Sequence, residues 1–261
     1  MADNTSRSGV HQATGSPVYL RNTRILAMLM TFFAAMTANA AIHHTDGRLV
    51  QETPQSNILR DLGTHTASHY LHQEAIKAYK EGHHAYAANT WRVIAQQGHA
   101  PAQYHLGTLY FNGEGVKQDL KQALAWYQKA ASQGHSKAQY NMGVIFAKGI
   151  GVEVDFNEAV IWWRKAALSG NTDAQFNLGL MYSNGFGANR DLVTAARWWQ
   201  KAANQGDPAA QFSLGIAYAN GHGVQQNWEV AEVLWKQSAD QGYDAAVKAL
   251  KILHNTAKAS N

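Results

Sequence analysis

Three histidines at helical spacing are the residues of this 261-residue chain with the clearest potential for chemistry. His65, His69 and His72 stand at i, i+4 and i+7, so a helix would place them on one face. Neutral imidazoles grouped in this way could bind zinc, nickel or copper. No acid stands where His-Glu-x-x-His chemistry needs one, and a solvated histidine face is the better explanation of the spacing. The sequence therefore predicts no metal site and no cofactor, with these three histidines as the remaining metal candidates.

Other catalytic motifs are missing from the sequence. The chain has no cysteine, which excludes disulfides, thiolate metal sites and a cysteine nucleophile. It has no Gly-x-Ser-x-Gly nucleophile elbow. Gly-x-Gly occurs at Gly113-Glu114-Gly115 and at three later places, but no Gly-Lys-Ser/Thr follows it and no strand is predicted before it. These glycines are better explained as helix ends, and we expect the protein not to be an enzyme.

A period of 36 residues organises most of the chain. It defines four units, residues 100–135, 136–171, 172–207 and 208–243. The glycines that mark the period most clearly lie in two columns: Gly107, Gly143, Gly179 and Gly215, then Gly113, Gly149, Gly185 and Gly221. A repeat of this length is typical of stacked supersecondary units that share one continuous core.

Each unit has the pattern of two helices. Ala102, Leu106 and Leu109 recur at helical spacing, and Gly107 in their midst indicates a close approach by the partner helix. The second helix carries an aromatic pair, Trp126-Tyr127 in the first unit. A short polar side chain precedes each second helix and predicts its N-cap: Asp119, Asp155, Asp191 and Asn227.

These motifs resemble the Sel-1-like repeat, a relative of the tetratricopeptide repeat. The resemblance rests on Ala102-Gln103-Tyr104-His105-Leu106-Gly107, on Gly113-Glu114-Gly115-Val116 and on the aromatic pair, and it covers residues 100–243. It implies an all-α, right-handed α/α solenoid of helix-turn-helix repeats. It also implies that the first helix of each unit lines a concave face.

The resemblance places twelve residues on that concave face. An aromatic column is followed by a mainly apolar column and a polar column: Tyr104, Tyr140, Phe176 and Phe212; Thr108, Val144, Leu180 and Ile216; Asn112, Lys148, Asn184 and Asn220. Such a stripe could hold an extended or helical peptide, with amide side chains bonding to its backbone. The aromatics could also serve only to pack neighbouring first helices together.

The flanks of the repeats complete the predicted organisation. Arg21 and Arg24 precede the apolar run 25–36, and Ala38-Asn39-Ala40 supplies a small-residue cleavage site. This combination predicts a signal peptide at 1–40 and a periplasmic or secreted protein, or an inner-membrane anchor if it is not cleaved. We expect a flexible linker at 41–63, a tetratricopeptide-like hairpin at 64–99, and a C-terminal capping helix and tail at 244–261.

The net charge of the chain helps to decide which class of partner it binds. The formal net charge is +4, and residues beyond the predicted signal peptide contain 19 Lys and Arg and 17 Asp and Glu. This balance disfavours a nucleic-acid-binding protein. The sequence predicts a non-enzymatic envelope scaffold that binds another protein or a peptide, and membrane contact only through an uncleaved signal segment. The alternatives are a glycan- or peptidoglycan-associated binding protein and a secreted, host-directed effector.

Overall fold

The computed structural model describes the backbone of residues 54–259 and the side chains of residues 66–253. All of the regular structure in that part of the chain is helical. The helices are α1 Pro54–Lys80, α2 His84–Gln96, α3 Ala100–Asn112, α4 Leu120–Ser132, α5 Ser136–Lys148, α6 Phe156–Leu168, α7 Thr172–Asn184, α8 Leu192–Asn204, α9 Pro208–Asn220, α10 Trp228–Asp240 and α11 Asp244–Ala259. The predicted signal peptide and residues 41–53 lie outside the described residues.

The four repeat units appear as four helix pairs, which confirms the predicted all-α solenoid. We call α3, α5, α7 and α9 the first helices, and α4, α6, α8 and α10 the second helices. Each has 13 residues. Every helix from α2 to α11 packs against its neighbours in the chain. No helix in the described part combines the length and hydropathy needed to cross a bilayer.

Polar side chains begin the helices and glycines end them. All four predicted caps of the second helices accept a hydrogen bond from the first helical turn, as Asp119 does from the Gln122 N–H. Gly113 ends α3 in the left-handed conformation, with φ of 76°. The equivalent glycines of the other units do the same, because a left-handed residue without a Cβ closes a helix at little cost.

The N-terminal boundary differs from the expected one. Helix α1 begins at Pro54, so residues 54–63, expected to belong to a flexible linker, are helical. Proline suits the first turn of a helix, where its missing N–H is not needed. Pattern analysis misses the start of this helix because the apolar residues of Pro54–Lys80 do not gather on one face. The boundary expected at residue 64 therefore falls inside α1.

The core of each unit forms around its mid-helix glycine. Tyr127 is buried against Gly107, and a Cβ at Gly107 would lie 2.8 Å from the Tyr127 Cδ1. The buried tryptophans of the later units contact their own glycines in the same way: Trp163, Trp199 and Trp235. The expected close approach is confirmed, and it is made by an aromatic ring of the second helix.

A column of buried glutamines ties successive units together. The Gln103 Nε2 donates to the Ala95 carbonyl at 3.0 Å, and its Oε1 accepts from the Gln133 Nε2 at 2.6 Å. Gln175 and Gln211 are bonded in the same pattern. Because a buried amide left without partners is costly, this column fixes each first helix against the preceding second helix.

Candidate partner-binding face

The four aromatic residues predicted for the concave face are all half-buried. Each packs against a core cluster that contains residues of its own second helix and of the next first helix, as Tyr104 does with Tyr127 and Met142. Part of each ring therefore stabilises the stack, and the rest remains accessible to solvent. The two interpretations of this column, interior packing and partner contact, are compatible in the structure.

The two columns beside the aromatics range from half-buried to exposed. Thr108, Val144 and Leu180 are half-buried, and Ile216 is 38% exposed. The third column is exposed throughout: Asn112, Lys148, Asn184 and Asn220. We call the surface formed by these twelve residues the first-helix face.

Hydrogen bonds orient several side chains of the first-helix face. The Tyr127 hydroxyl donates to the Thr108 Oγ1 at 3.1 Å, and the Thr108 hydroxyl donates to the Tyr104 carbonyl at 3.1 Å. The Asn184 Nδ2 donates to the Leu180 carbonyl at 2.8 Å, and Asn220 makes the equivalent bond to Ile216 at 3.0 Å. These amides are anchored on their own helices through their Nδ2 atoms, and each amide also has a side-chain oxygen that can accept a hydrogen bond.

The first helices carry little charge. Their only Lys, Arg, Asp and Glu residues are Lys137, Lys148 and Asp173, and α3 and α9 have none. A nearly neutral surface with half-exposed rings recognises a ligand by shape, apolar contact and hydrogen bonds rather than by long-range attraction.

A histidine cluster at the N-terminal end of this face was not foreseen as a unit. The rings of His72 and His99 lie 4.9 Å apart, and those of His72 and His105 lie 5.4 Å apart. His105 stacks on Trp91 at 4.6 Å between ring centroids. Tyr104 stacks on His135 at 4.7 Å between ring centroids and brings this fourth histidine to the group. We call His72, His99, His105 and His135 the histidine cluster.

Two of the clustered histidines cap helices. The His99 Nδ1 accepts from the Ala102 N–H, and the His135 Nδ1 accepts from the Ala138 N–H, both at 3.2 Å. In the next two units Asn171 and Asp207 occupy the same cap position. The sequence could have revealed these caps, because His99, His135, Asn171 and Asp207 are spaced 36 residues apart and the last two are typical N-cap residues.

The structure favours neutral imidazoles at His72, His105 and His135. Burial, followed by the charge that neighbouring histidines would carry, lowers the pKa of His72 and of His105 to about 4. Burial and then Lys137 lower the pKa of His135. A protonated ring nitrogen could not accept the bonds that His72 and His135 receive at Nδ1.

The three histidines considered for metal binding are placed differently. His72 is buried and its Nδ1 accepts from the Trp91 Nε1–H at 3.1 Å, whereas His69 is exposed. The side chain of His65 lies outside the described residues. Among the side chains that are described, no three His, Asp or Glu residues form an arrangement suited to a metal ion.

The repeated tryptophans belong to two populations. Trp163 and Trp199 are buried in their units, which leaves their rings unavailable for stacking on a sugar. Trp126, Trp162 and Trp198 are half-buried against the core of the preceding unit. Each also lies under a lysine Nζ, at 4.3 Å for Lys129, 4.1 Å for Lys165 and 4.4 Å for Lys201 from the ring centroid.

The fold and the first-helix face define an all-α solenoid repeat protein. The model of the Sel1 repeat matches residues 100–135, 136–171, 172–207 and 208–243, which are the four units expected from the period. The chain therefore belongs to the Sel1 repeat family, as the resemblance predicted. Sel1 repeat proteins generally serve as scaffolds for interactions between proteins.

Solved structures agree with this assignment. The chain is similar to a Sel1 repeat protein from Oxalobacter formigenes, with 33% identity and a TM-score of 0.65, over 70% of this chain and 76% of that one. It is also similar to a protective antigen of uropathogenic Escherichia coli that displays an SLR fold, with 37% identity and a TM-score of 0.64 over 65% of this chain. This chain spans 36% of the length of that antigen. A comparison with curated proteins finds no significant match.

Proposed function

We propose that the protein is a non-enzymatic scaffold of the bacterial cell envelope that binds another protein or a peptide across its first-helix face. Export rests on the predicted signal peptide at 1–40, and the periplasm is the location that this proposal takes for the mature chain. The family supports the general role, and the first-helix face supports the place of binding.

The observation that carries the proposal is the partial exposure of the aromatic column on nearly uncharged helices. Tyr104, Tyr140, Phe176 and Phe212 contribute to the core and still present ring surface to solvent. Ile216 and its equivalents extend this surface, and the neighbouring amides offer acceptors for a peptide backbone. Large side chains already ordered by packing lose little entropy when a partner covers them, which favours their use in binding.

The test is affinity capture of partners from envelope extracts of the producing bacterium. We expect Tyr140→Ala with Phe176→Ala to reduce capture of a specific partner at least tenfold, as loss of two central aromatic contacts should. Phe156→Ala with Phe186→Ala is the matched control, because these two rings are exposed, stack on each other and are not among the twelve residues of the first-helix face. Circular dichroism must show that both variants keep the helical fold.

Three results would contradict the proposal. Capture that persists in Tyr140→Ala with Phe176→Ala would exclude the first-helix face as the binding surface. Quenching of tryptophan fluorescence by muropeptides, with no protein partner retained, would favour the cell-wall glycan alternative. Recovery of the chain from the medium rather than the envelope would favour a secreted effector.

A further inference from the structure

Positive charge is concentrated on the second helices of the first three units. Helices α4, α6 and α8 carry six exposed cations and one acidic residue, Glu158. We call these cations the second-helix basic face: Lys121, Lys129, Arg164, Lys165, Arg197 and Lys201. This segregation is hidden in the overall composition, because acidic residues elsewhere in the chain balance the total.

The six cations lie on one side of their helices. At 100° per residue, their positions within the three equivalent helices fall inside an arc of about 100°. That arc is opposite the buried side, which in α4 is formed by Ala123, Tyr127 and Ala130. The charges spread over about 12 Å along each helix, and the equivalent second helices of the three units repeat this array.

The cations have few partners within the protein. In the described part of the chain, ion pairs join Lys77 with Glu81 and Lys236 with Glu232, and neither pair includes the second-helix basic face. Arg164 donates a hydrogen bond to the Tyr182 hydroxyl. The three lysines of the 129 column lie over tryptophan rings, which leaves their ammonium groups charged and close to solvent.

Apolar side chains are exposed among these cations. Ile161 is 44% exposed, Leu168 is 71% exposed and Val193 is 46% exposed, and all three lie on α6 or α8. They point into the same solvent-facing arc as the charges. An array of Lys and Arg with interspersed aliphatic residues is the composition that binds the interface of an anionic bilayer, where charges meet headgroups and apolar groups enter between them.

The basic face ends with the third unit. Helix α10 carries Glu229, Glu232 and Asp240 against the single cation Lys236, and Gln237 replaces the column lysine. The outward side of the fourth unit is therefore acidic.

We propose that the second-helix basic face docks the protein on a membrane surface of anionic phospholipid. The cations are dispersed over a broad array and do not converge on a pocket, which suits laterally mobile headgroups better than a fixed acidic peptide. This contact uses only the folded repeats and does not depend on the signal segment or on the proposed partner. It also leaves the first-helix face, on the other helix layer, available to hold a protein near the membrane.

The experiment is co-sedimentation of the full chain with vesicles of phosphatidylglycerol and phosphatidylcholine, compared with vesicles of phosphatidylcholine alone. The triple variant Lys129→Gln, Lys165→Gln, Lys201→Gln removes the column lysines, and Gln237 shows that glutamine fits this column. Each cation near an anionic surface strengthens partitioning about fivefold, so we expect roughly 100-fold weaker binding to the anionic vesicles. Binding by the unaltered chain should also fall as salt is raised.

A control of equal charge is Lys77→Gln, Lys236→Gln, Lys248→Gln, whose lysines lie outside the basic face. We expect it to bind within about twofold of the unaltered chain, since it keeps all six cations of that face. The proposal is overturned if the chain does not bind anionic vesicles, or if the column variant binds them as well as the control does. Tighter binding to soluble polyglutamate than to the anionic vesicles would instead identify an acidic protein as the partner.

Discussion

Gly143 lies directly beneath the indole ring of Trp163, so that a Cβ at Gly143 would come within 2.5 Å of the Trp163 Nε1. Glycine in the middle of a helix usually costs about 1 kcal/mol relative to alanine. Here the missing side chain makes room for a buried aromatic ring, and the same pairing recurs in every repeat unit. The packing of the ring offsets the poor helix propensity of the glycine.

Adding one methyl group at this contact should destabilise the protein. We expect Gly143→Ala to lower the free energy of unfolding by about 1–3 kcal/mol, because the indole must shift within a packed core. Thermal unfolding followed by circular dichroism measures the change. Adding Trp163→Leu, which removes the indole ring from this contact, should make the cost of Gly143→Ala smaller than in the native background. An equal cost in both backgrounds would show that the ring is not responsible.

The second unit lacks one hydrogen bond that the others possess. The Oε1 atoms of Gln103, Gln175 and Gln211 accept from a glutamine 30 residues later, whereas the buried Gln139 Oε1 has no partner. Ser169 occupies the donor position. We expect Ser169→Gln to raise the free energy of unfolding by about 1 kcal/mol, the usual contribution of a recovered hydrogen bond.

Chemical denaturation provides the measurement for Ser169→Gln. Ser132→Gln introduces the same residue at the exposed end of α4 and should leave stability unchanged. If both variants stabilise the protein equally, the gain comes from helix propensity and not from Gln139.

Acid should weaken the N-terminal half of the solenoid. The pKa values of His72 and His105 are about 4 in the folded chain, against about 6.5 in an unfolded chain. The unfolded state therefore binds protons first, so the stability is complete above pH 6.5 and is lost as pH falls towards 4. With allowance for solvent near His105, we expect a loss on the order of 2 kcal/mol between pH 7 and pH 5, measured by denaturation at each pH.

The capping histidines provide a matched test of the acid effect. His99→Asn with His135→Asn installs the residue found at Asn171, which caps a helix without titrating. It also removes two imidazoles that lower the pKa of His72. We expect this variant to lose less stability between pH 7 and pH 5 than the native chain. An equal loss of stability in both proteins would show that groups outside the histidine cluster cause the acid sensitivity.

The stability cost of replacing the second glycine of a Gly-x-Gly loop by alanine should differ between units. Gly151 and Gly187 both have left-handed backbone, with φ of 70° and 65°. A Cβ at Gly151 would lie 3.5 Å from the Leu120 Cβ, whereas a Cβ at Gly187 would overlap the Phe156 carbonyl oxygen. Gly151→Ala should cost about 1–2 kcal/mol through backbone strain alone, and Gly187→Ala should cost more. Melting temperatures of the two variants test this order.

The sequence by itself determined the units, their helices and most of their ends. This was possible because the signals are local or periodic: the Asp119 column caps helices through neighbouring N–H groups, and the Gly113 column closes them by its own conformation. The start of α1 at Pro54 was not predictable in this way, because this helix has no periodic apolar face.

Tertiary structure alone decided which side chains meet. The sequence showed His72 beside His65 and His69, but the fold turns it towards Trp91 of α2 and towards His99 and His105, the N-cap and an inner residue of α3. Burial and proximity depend on how helices pack, and the physical reason is that packing brings together residues whose separation along the chain carries no record of their contact.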